Sequence, residues 1–323
     1  MRRRTSPFRF CLALLVGGAC VVAHAESPLL APGAAPEKVA GGLGHCEGPA
    51  WHPDGYLIFC NPPQDRILQL DATGAVIPFR TPSGRATALW IDPAGRLVAN
   101  ESHGGTEGTR RVARREKDGT WVTLADTYQG KRFNSPNDLA IDSRGRIFFT
   151  DPRYSARETM QLSHESVYRL DPAGTLARLD ITLTRPNGIL VTPDNKTLFV
   201  ADNPASGSAR GSLWAFDLDS GGAAGAGRII FSFRSNRGID GMTFDSAGRI
   251  WATAGLRDDA GIYVFEIDPR RTNARMAAFF AVPDTPTNCT FGGPQRDILY
   301  ITTDDGLYRL RTAVTGRSSL PGK

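Results

Sequence analysis

No stretch of this 323-residue sequence carries an extended helix-period pattern, and past its first 25 residues none is long and apolar enough to cross a bilayer. The first absence argues against a helical fold and the second against a chain that spans by helices. There is no Gly-x-Ser-x-Gly elbow, no phosphate-binding glycine loop and no His-Glu-x-x-His pair. Those absences remove the nucleophile-elbow hydrolases, the P-loop proteins and the helical zinc proteases. Cysteine is sparse as well. Of five cysteines, Cys11 and Cys20 lie in the first 25 residues, which leaves Cys46, Cys60 and Cys289. Cys46 and Cys60 flank one expected hairpin and are candidates to pair, with Cys289 left over.

A one-signed charge field is missing too. The formal charge of +5 includes four arginines and no acid before Ala25, so it falls to +1 without them. Arg110, Arg111, Arg114 and Arg115 form one basic run, but elsewhere acids and bases alternate, so no nucleic-acid partner is expected. Arg2, Arg3 and Arg4, an apolar run over 10–23 and Ala23-His24-Ala25 have the three-part layout of a secretory signal peptide. Cleavage after Ala25 is expected, which places residues 26–323 in the periplasm or outside the cell as one domain without a membrane span. The sequence leaves the oligomeric state open.

What is abundant is turn chemistry. With 35 Gly and 22 Pro, many short strands joined by tight turns are favoured over helices. One pattern recurs six times: a polar residue, an apolar strand, a turn and a second apolar strand. Its copies start at Glu47, Thr87, Asn137, Asn187, Asp240 and Asn288, at intervals of roughly 40–53 residues. Gly55, Gly95, Gly145, Asn195 and Gly248 stand eight positions on, where a turn needs positive φ. A third strand follows each hairpin, and most copies add a fourth. Six such units predict an all-β, six-bladed β-propeller. The last copy lacks its fourth strand, and residues 37–41 are expected to supply it. The Gly-rich stretch 220–227 reads as a linker.

In a propeller the first strand of each blade runs along the central channel, so the six repeat-start residues converge on one mouth. Five of the six carry a carboxylate or amide oxygen. Two carboxylates there would repel without a cation between them. Such oxygens suit a hard ion: calcium first, then magnesium or manganese, with zinc the least suited. The second strands return to the same face, bringing Asn61, Glu101, Asp151 and Asp202, then His103, Arg153 and Asn203, toward a polar pocket. His103 is a candidate proton shuttle. His45, His52 and His164 read as turn or surface residues.

Several segments resemble one family. They are Lys131-Arg-Phe-Asn-Ser-Pro-Asn-Asp138, Phe149-Thr-Asp-Pro152, Arg185-Pro-Asn-Gly188, Asp240-Gly-Met242 and Pro286-Thr-Asn-Cys-Thr-Phe-Gly-Gly293. They resemble the gluconolactonase, regucalcin (senescence marker protein) and luciferin-regenerating enzyme family, particularly its bacterial gluconolactonase branch. The resemblance implies one divalent cation held by Glu47, Asn187 and Asp240, with Asn137 binding metal or substrate. It implies hydrolysis of a sugar lactone, with Asp240 as general base and His103 as a competitor for that role. Substrate contacts are expected from Asn137, Glu101, Arg132, Asp151 and Asn288. The alternatives are a phosphotriester hydrolase of the same fold, as the likeness to diisopropylfluorophosphatase implies, and a propeller that binds without catalysis.

Overall fold

A computed structural model describes residues 27–102, 108–154, 160–204, 210–234 and 237–318. They form six four-stranded antiparallel sheets and one short two-stranded ribbon, Thr127–Tyr128 with Lys131–Arg132. The first strands of the sheets are Glu47–Trp51, Ala86–Ile91, Leu139–Ile141, Pro186–Val191, Ile239–Phe244 and Pro286–Gly292. Each touches the first strand of the blade before and after it, closing a ring around a central channel. The six-bladed propeller expected from the repeat is the observed fold. Among the described residues there is no α-helix, and no helix is long and apolar enough to cross a membrane.

Local chemistry explains the blades. In Asp92-Pro-Ala-Gly-Arg96 the Asp92 carboxylate accepts the N–H of Ala94 and Arg96 at 2.9 and 2.8 Å and pairs with the Arg96 guanidinium at 2.8 Å. Asp142 with Arg146 and Asp245 with Arg249 repeat that arrangement. Each side chain thereby closes its own turn, as Asp does in Asx turns. Gly95, Gly145, Gly248 and Asn195 take the expected positive φ, and Arg296 takes it in the degenerate last copy.

Each second strand is apolar on both faces because it lies between two neighbouring blades. Leu57 and Phe59 pack toward the last blade with Tyr300 and Leu307, while Ile58 and Cys60 pack toward the second blade with Leu89 and Ile91. The same geometry separates the thiols. Cys46 lies in the first of these cores and Cys60 in the second, so the expected candidate pair does not form and both remain free, as does Cys289. The glycine-rich stretch also departs from expectation: the fourth strand of the fourth blade, Ala224–Ser232, already includes Gly225 and Gly227. Gly227 lies against the Phe216 ring, so its missing side chain is filled from the neighbouring strand.

The ring closes as expected. Glu37–Gly41 pairs with Gly306–Arg311 and becomes the outer strand of the last blade. Glu37 pairs with Arg309 at 2.8 Å and Lys38 with Asp305 at 2.8 Å. Gly306 sits at φ 149°, where a Cβ would lie 2.1 Å from the Ala40 carbonyl oxygen. Gly306→Val should therefore unseat the closing strand and cost about 2–3 kcal/mol. Urea unfolding checks this, and a wild-type midpoint would show that closure does not depend on that contact.

Candidate functional site at the channel mouth

Because the repeat places one residue per blade at the same height, four of the expected side chains meet. Asn137 Nδ2 donates to Asn187 Oδ1 at 2.6 Å, and Asn187 Nδ2 donates to Asp240 Oδ1 at 2.7 Å and to the Tyr154 hydroxyl at 2.8 Å. The other oxygen of Asp240 is held by Arg237, whose second guanidinium nitrogen reaches the Gly255 carbonyl at 2.9 Å. Glu47 is buried, accepts the Gly48 N–H at 3.1 Å and faces His45 at 3.5 Å. Burial, followed by the charge of Asp240, raises the pKa of Glu47, so the two carboxylates share one electrostatic field.

His45 is part of this group although its sequence context reads as an ordinary turn. Its Nδ1 lies 2.7 Å from Asp304. Burial works against its charge, but the carboxylates of Asp304 and Glu47 outweigh it and raise the imidazole to about 10. Tyr154 is half exposed through its ring while its hydroxyl enters the cluster, and the Arg185 guanidinium lies 5.2 Å over that ring. Burial first, then Asp240, pushes the tyrosine hydroxyl above its ordinary pKa. Tyr154, Arg185 and Arg237 went unseen in the sequence. Two of them stand two or three positions before a repeat start, which is the signal that could have exposed them.

The remaining candidates lie elsewhere. Thr87 donates to the backbone carbonyls of Pro136 and Asn137, bracing the next blade. Asn288 accepts the Cys289 N–H at 2.8 Å and folds against Gly241, where a Cβ would lie 2.1 Å from its Cγ. No hydrogen bond joins it to the Asn137–Asn187–Asp240 chain. Asp151 is buried and accepts the N–H of Asn134 and Ser135 at 2.9 and 2.6 Å, which fixes the segment leading into Asn137. Burial raises it to about 7 despite those two bonds. Asp202 does the same for Thr184 and Arg185, so these two second-strand acids act as loop clamps.

Asn61 is spent on Leu43, His45 and Arg66. Glu101 is enclosed by Arg80 and Arg111. Arg132 is exposed and holds the Thr109 carbonyl at 2.8 Å. His103 lies outside the described residues.

The other end of the channel differs in character. A cavity of about 620 Å³ opens there, lined by Trp51, Trp90, Ile141, Met242 and Phe244, with Asp138 and Asn288 in its wall. Glu47, Asn137, Asn187 and Asp240 do not line it, although their chain neighbours Gly48 and Asp138 do.

The mouth presents two carboxylates and two amides. This all-oxygen donor set is of the kind hard divalent cations take. Among the described residues no three of His, Cys, Asp and Glu are arranged to hold a metal ion by themselves, and half of this set is amide. Rotating the Asn187 amide by half a turn would aim its oxygen at Asp240's side of the mouth, so the residues present fit such an ion.

Comparison with known proteins follows the same lines. The family model described as SMP-30/Gluconolactonase/LRE-like region matches residues 45–305. A gluconolactonase of Zymomonas mobilis is 30% identical over 310 residues, covering 87% of this chain and 82% of that protein. A pentonolactonase of Haloferax volcanii is 28% identical, covering 84% and 92%. A solved gluconolactonase structure from Xanthomonas campestris superposes with a TM-score of 0.73 at 30% identity, covering 86% of this chain and 90% of that one.

Proposed function

Since the chain belongs to the SMP-30/gluconolactonase/LRE-like family, we propose that it is a metal-dependent lactonase that opens a sugar lactone to its aldonic acid. The observation carrying this reading is the hydrogen-bonded chain Asn137–Asn187–Asp240 beside Glu47 at the propeller mouth. Glu47, Asn187 and Asp240 would hold one divalent cation, calcium by preference, and Asn137 would contact metal or substrate. Such a cation supplies Lewis-acid polarisation of the lactone carbonyl and charge for the developing oxyanion.

The chain's own groups provide the rest. Arg237 and Asn187 fix the Asp240 carboxylate from two sides, so it is aimed before substrate arrives. Asp240 takes a proton from the attacking water at a carboxylate oxygen and returns it to the ring oxygen as the acyl C–O bond breaks. His103 is the second candidate for that proton.

Export belongs to the same proposal. The leader-like residues 1–25 support a periplasmic or secreted location, and the buried thiols suit it. Burial raises Cys46 to about 12 and Cys60 and Cys289 well above the usual thiol range. Thiols held protonated and enclosed are poor partners for oxidation.

The test is a pH-stat assay of the mature protein on glucono- and pentonolactones and on a phosphotriester, with and without chelator. Lactone turnover that stops on chelation and returns with calcium is expected. Turnover of the phosphotriester alone would replace this reading with the second hydrolase class, and no turnover of any substrate would leave a binding propeller.

A further inference from the structure

The arginines around the described site are nearly all committed. Arg237 is paired with Asp240, Arg80 and Arg111 with Glu101, and Arg132 and Arg153 with backbone carbonyls. Arg185 is different. Its main chain is clamped, its N–H by Asp202 at 2.7 Å and its carbonyl by Asn203 at 2.9 Å. Its guanidinium lies on the Tyr154 ring at 5.2 Å, and its enclosed Nε meets no acceptor. A guanidinium carries five donors in a planar fork, and one held over an aromatic face is pre-organised for a carboxylate.

Asp240, Asp202, Glu47 and Asp304 are engaged by other groups. Asp240 holds Arg237 and Asn187, Asp202 holds two backbone amides, and His45 stands between Glu47 and Asp304. The charge of Arg185 lies on the ring of Tyr154, whose hydroxyl is bonded to Asn187.

We infer that Arg185 is a specificity residue that binds a second, ionised acid group on the lactone, so that the preferred substrate is an acidic sugar lactone rather than a neutral one. This rests on the lactonase reading above. Three geometric features support it. The fork is within one aromatic ring of the Asn187–Asp240 pair. Its backbone is fixed, so the side chain starts from a defined point. The Tyr154 ring that carries the guanidinium is itself half exposed. A neutral aldonolactone would leave the guanidinium facing water, whereas a carboxylate on the far end of the sugar chain would accept two of its N–H bonds.

The experiment compares a glucarolactone, a phosphogluconolactone and gluconolactone as substrates, and glucarate and gluconate as ligands by calorimetry. The wild-type protein and Arg185→Gln and Arg185→Lys variants are used throughout. A preference in kcat/KM of about 10- to 100-fold for an acid-bearing lactone is expected, in line with a charge-assisted bond. In Arg185→Gln the ratio should fall toward one, and Arg185→Lys should recover part of it. The preference should also shrink as salt rises.

The two acid-bearing substrates separate a carboxylate from a phosphate as the second group. Equal kcat/KM for acidic and neutral lactones in the wild type, or a ratio untouched by Arg185→Gln, overturns the inference while leaving the lactonase reading intact. Tighter glucarate than gluconate binding that depends on Arg185, with no lactone hydrolysed, would do the reverse.

Discussion

Replacing Asp240 by Asn is expected to lower lactone kcat/KM by about 10³-fold while the protein still folds, a loss on the scale of removing one pre-organised charged group from a hydrolytic site. The geometry makes the substitution informative. The introduced amide could still accept from Asn187 Nδ2, because the oxygen that bond uses has a counterpart in the amide. The other position turns from acceptor to donor and faces Arg237, itself donor-only. Arg237 then loses its carboxylate, the site loses one negative charge, and the proton acceptor for water is gone.

Stability should move little, because two effects oppose each other. The Asp240–Arg237 pair is lost, but Asp240 also raises the buried Glu47, and removing that charge relieves Glu47. The measurement pairs pH-stat rates with a thermal melt. Activity within tenfold of the wild type would sink Asp240 as the acting carboxylate. A collapse of the melt would instead mean that it is structural.

How much of this was legible in the sequence follows from how local each feature is. The hairpins were readable because Asp92, Asp142 and Asp245 close their own turns with atoms four residues away. The closing strand was readable by subtraction, since one blade lacked its fourth strand and residues 37–41 stood unclaimed before the first repeat. The mouth was readable because a repeat puts equivalent residues at equivalent heights.

What escaped was rotamer choice and anything joining two blades. Asn187 and Asn288 occupy the same register, yet one joins the chain across the mouth and the other folds onto Gly241. Cys46 and Cys60 are close in sequence, but strand alternation sends them to two different cores. His45 reads as a turn residue because its partner Asp304 is 259 positions away. The oxygen-rich start residues suggested a cation without showing that arginine and histidine also surround them.

Glu101→Ala is expected to cost about 3–5 kcal/mol, the usual penalty for leaving buried charges without their partner. In a chain of this size that corresponds to a fall in Tm of roughly 10 °C. Glu101 is fully buried, with Oε1 2.8 Å from Arg80 and Oε2 2.7 Å from Arg111, and it also takes the Thr109 hydroxyl. Arg80 in turn stacks 4.1 Å over Trp121 in the next blade, so one carboxylate pairs with two guanidinia and ties the first blade to the second. Sequence position alone suggests a substrate contact for it, because it ends a second strand near the mouth. These partners leave no free lone pair aimed there.

The two roles differ in what they move. A structural Glu101 lowers Tm and leaves KM near wild type well below the melt. Replacing the whole cluster, Arg80→Met with Glu101→Leu and Arg111→Met, should then restore much of the lost stability, because no charge is left stranded. A tenfold rise in KM for Glu101→Ala with an unchanged melt would return the residue to the substrate pocket.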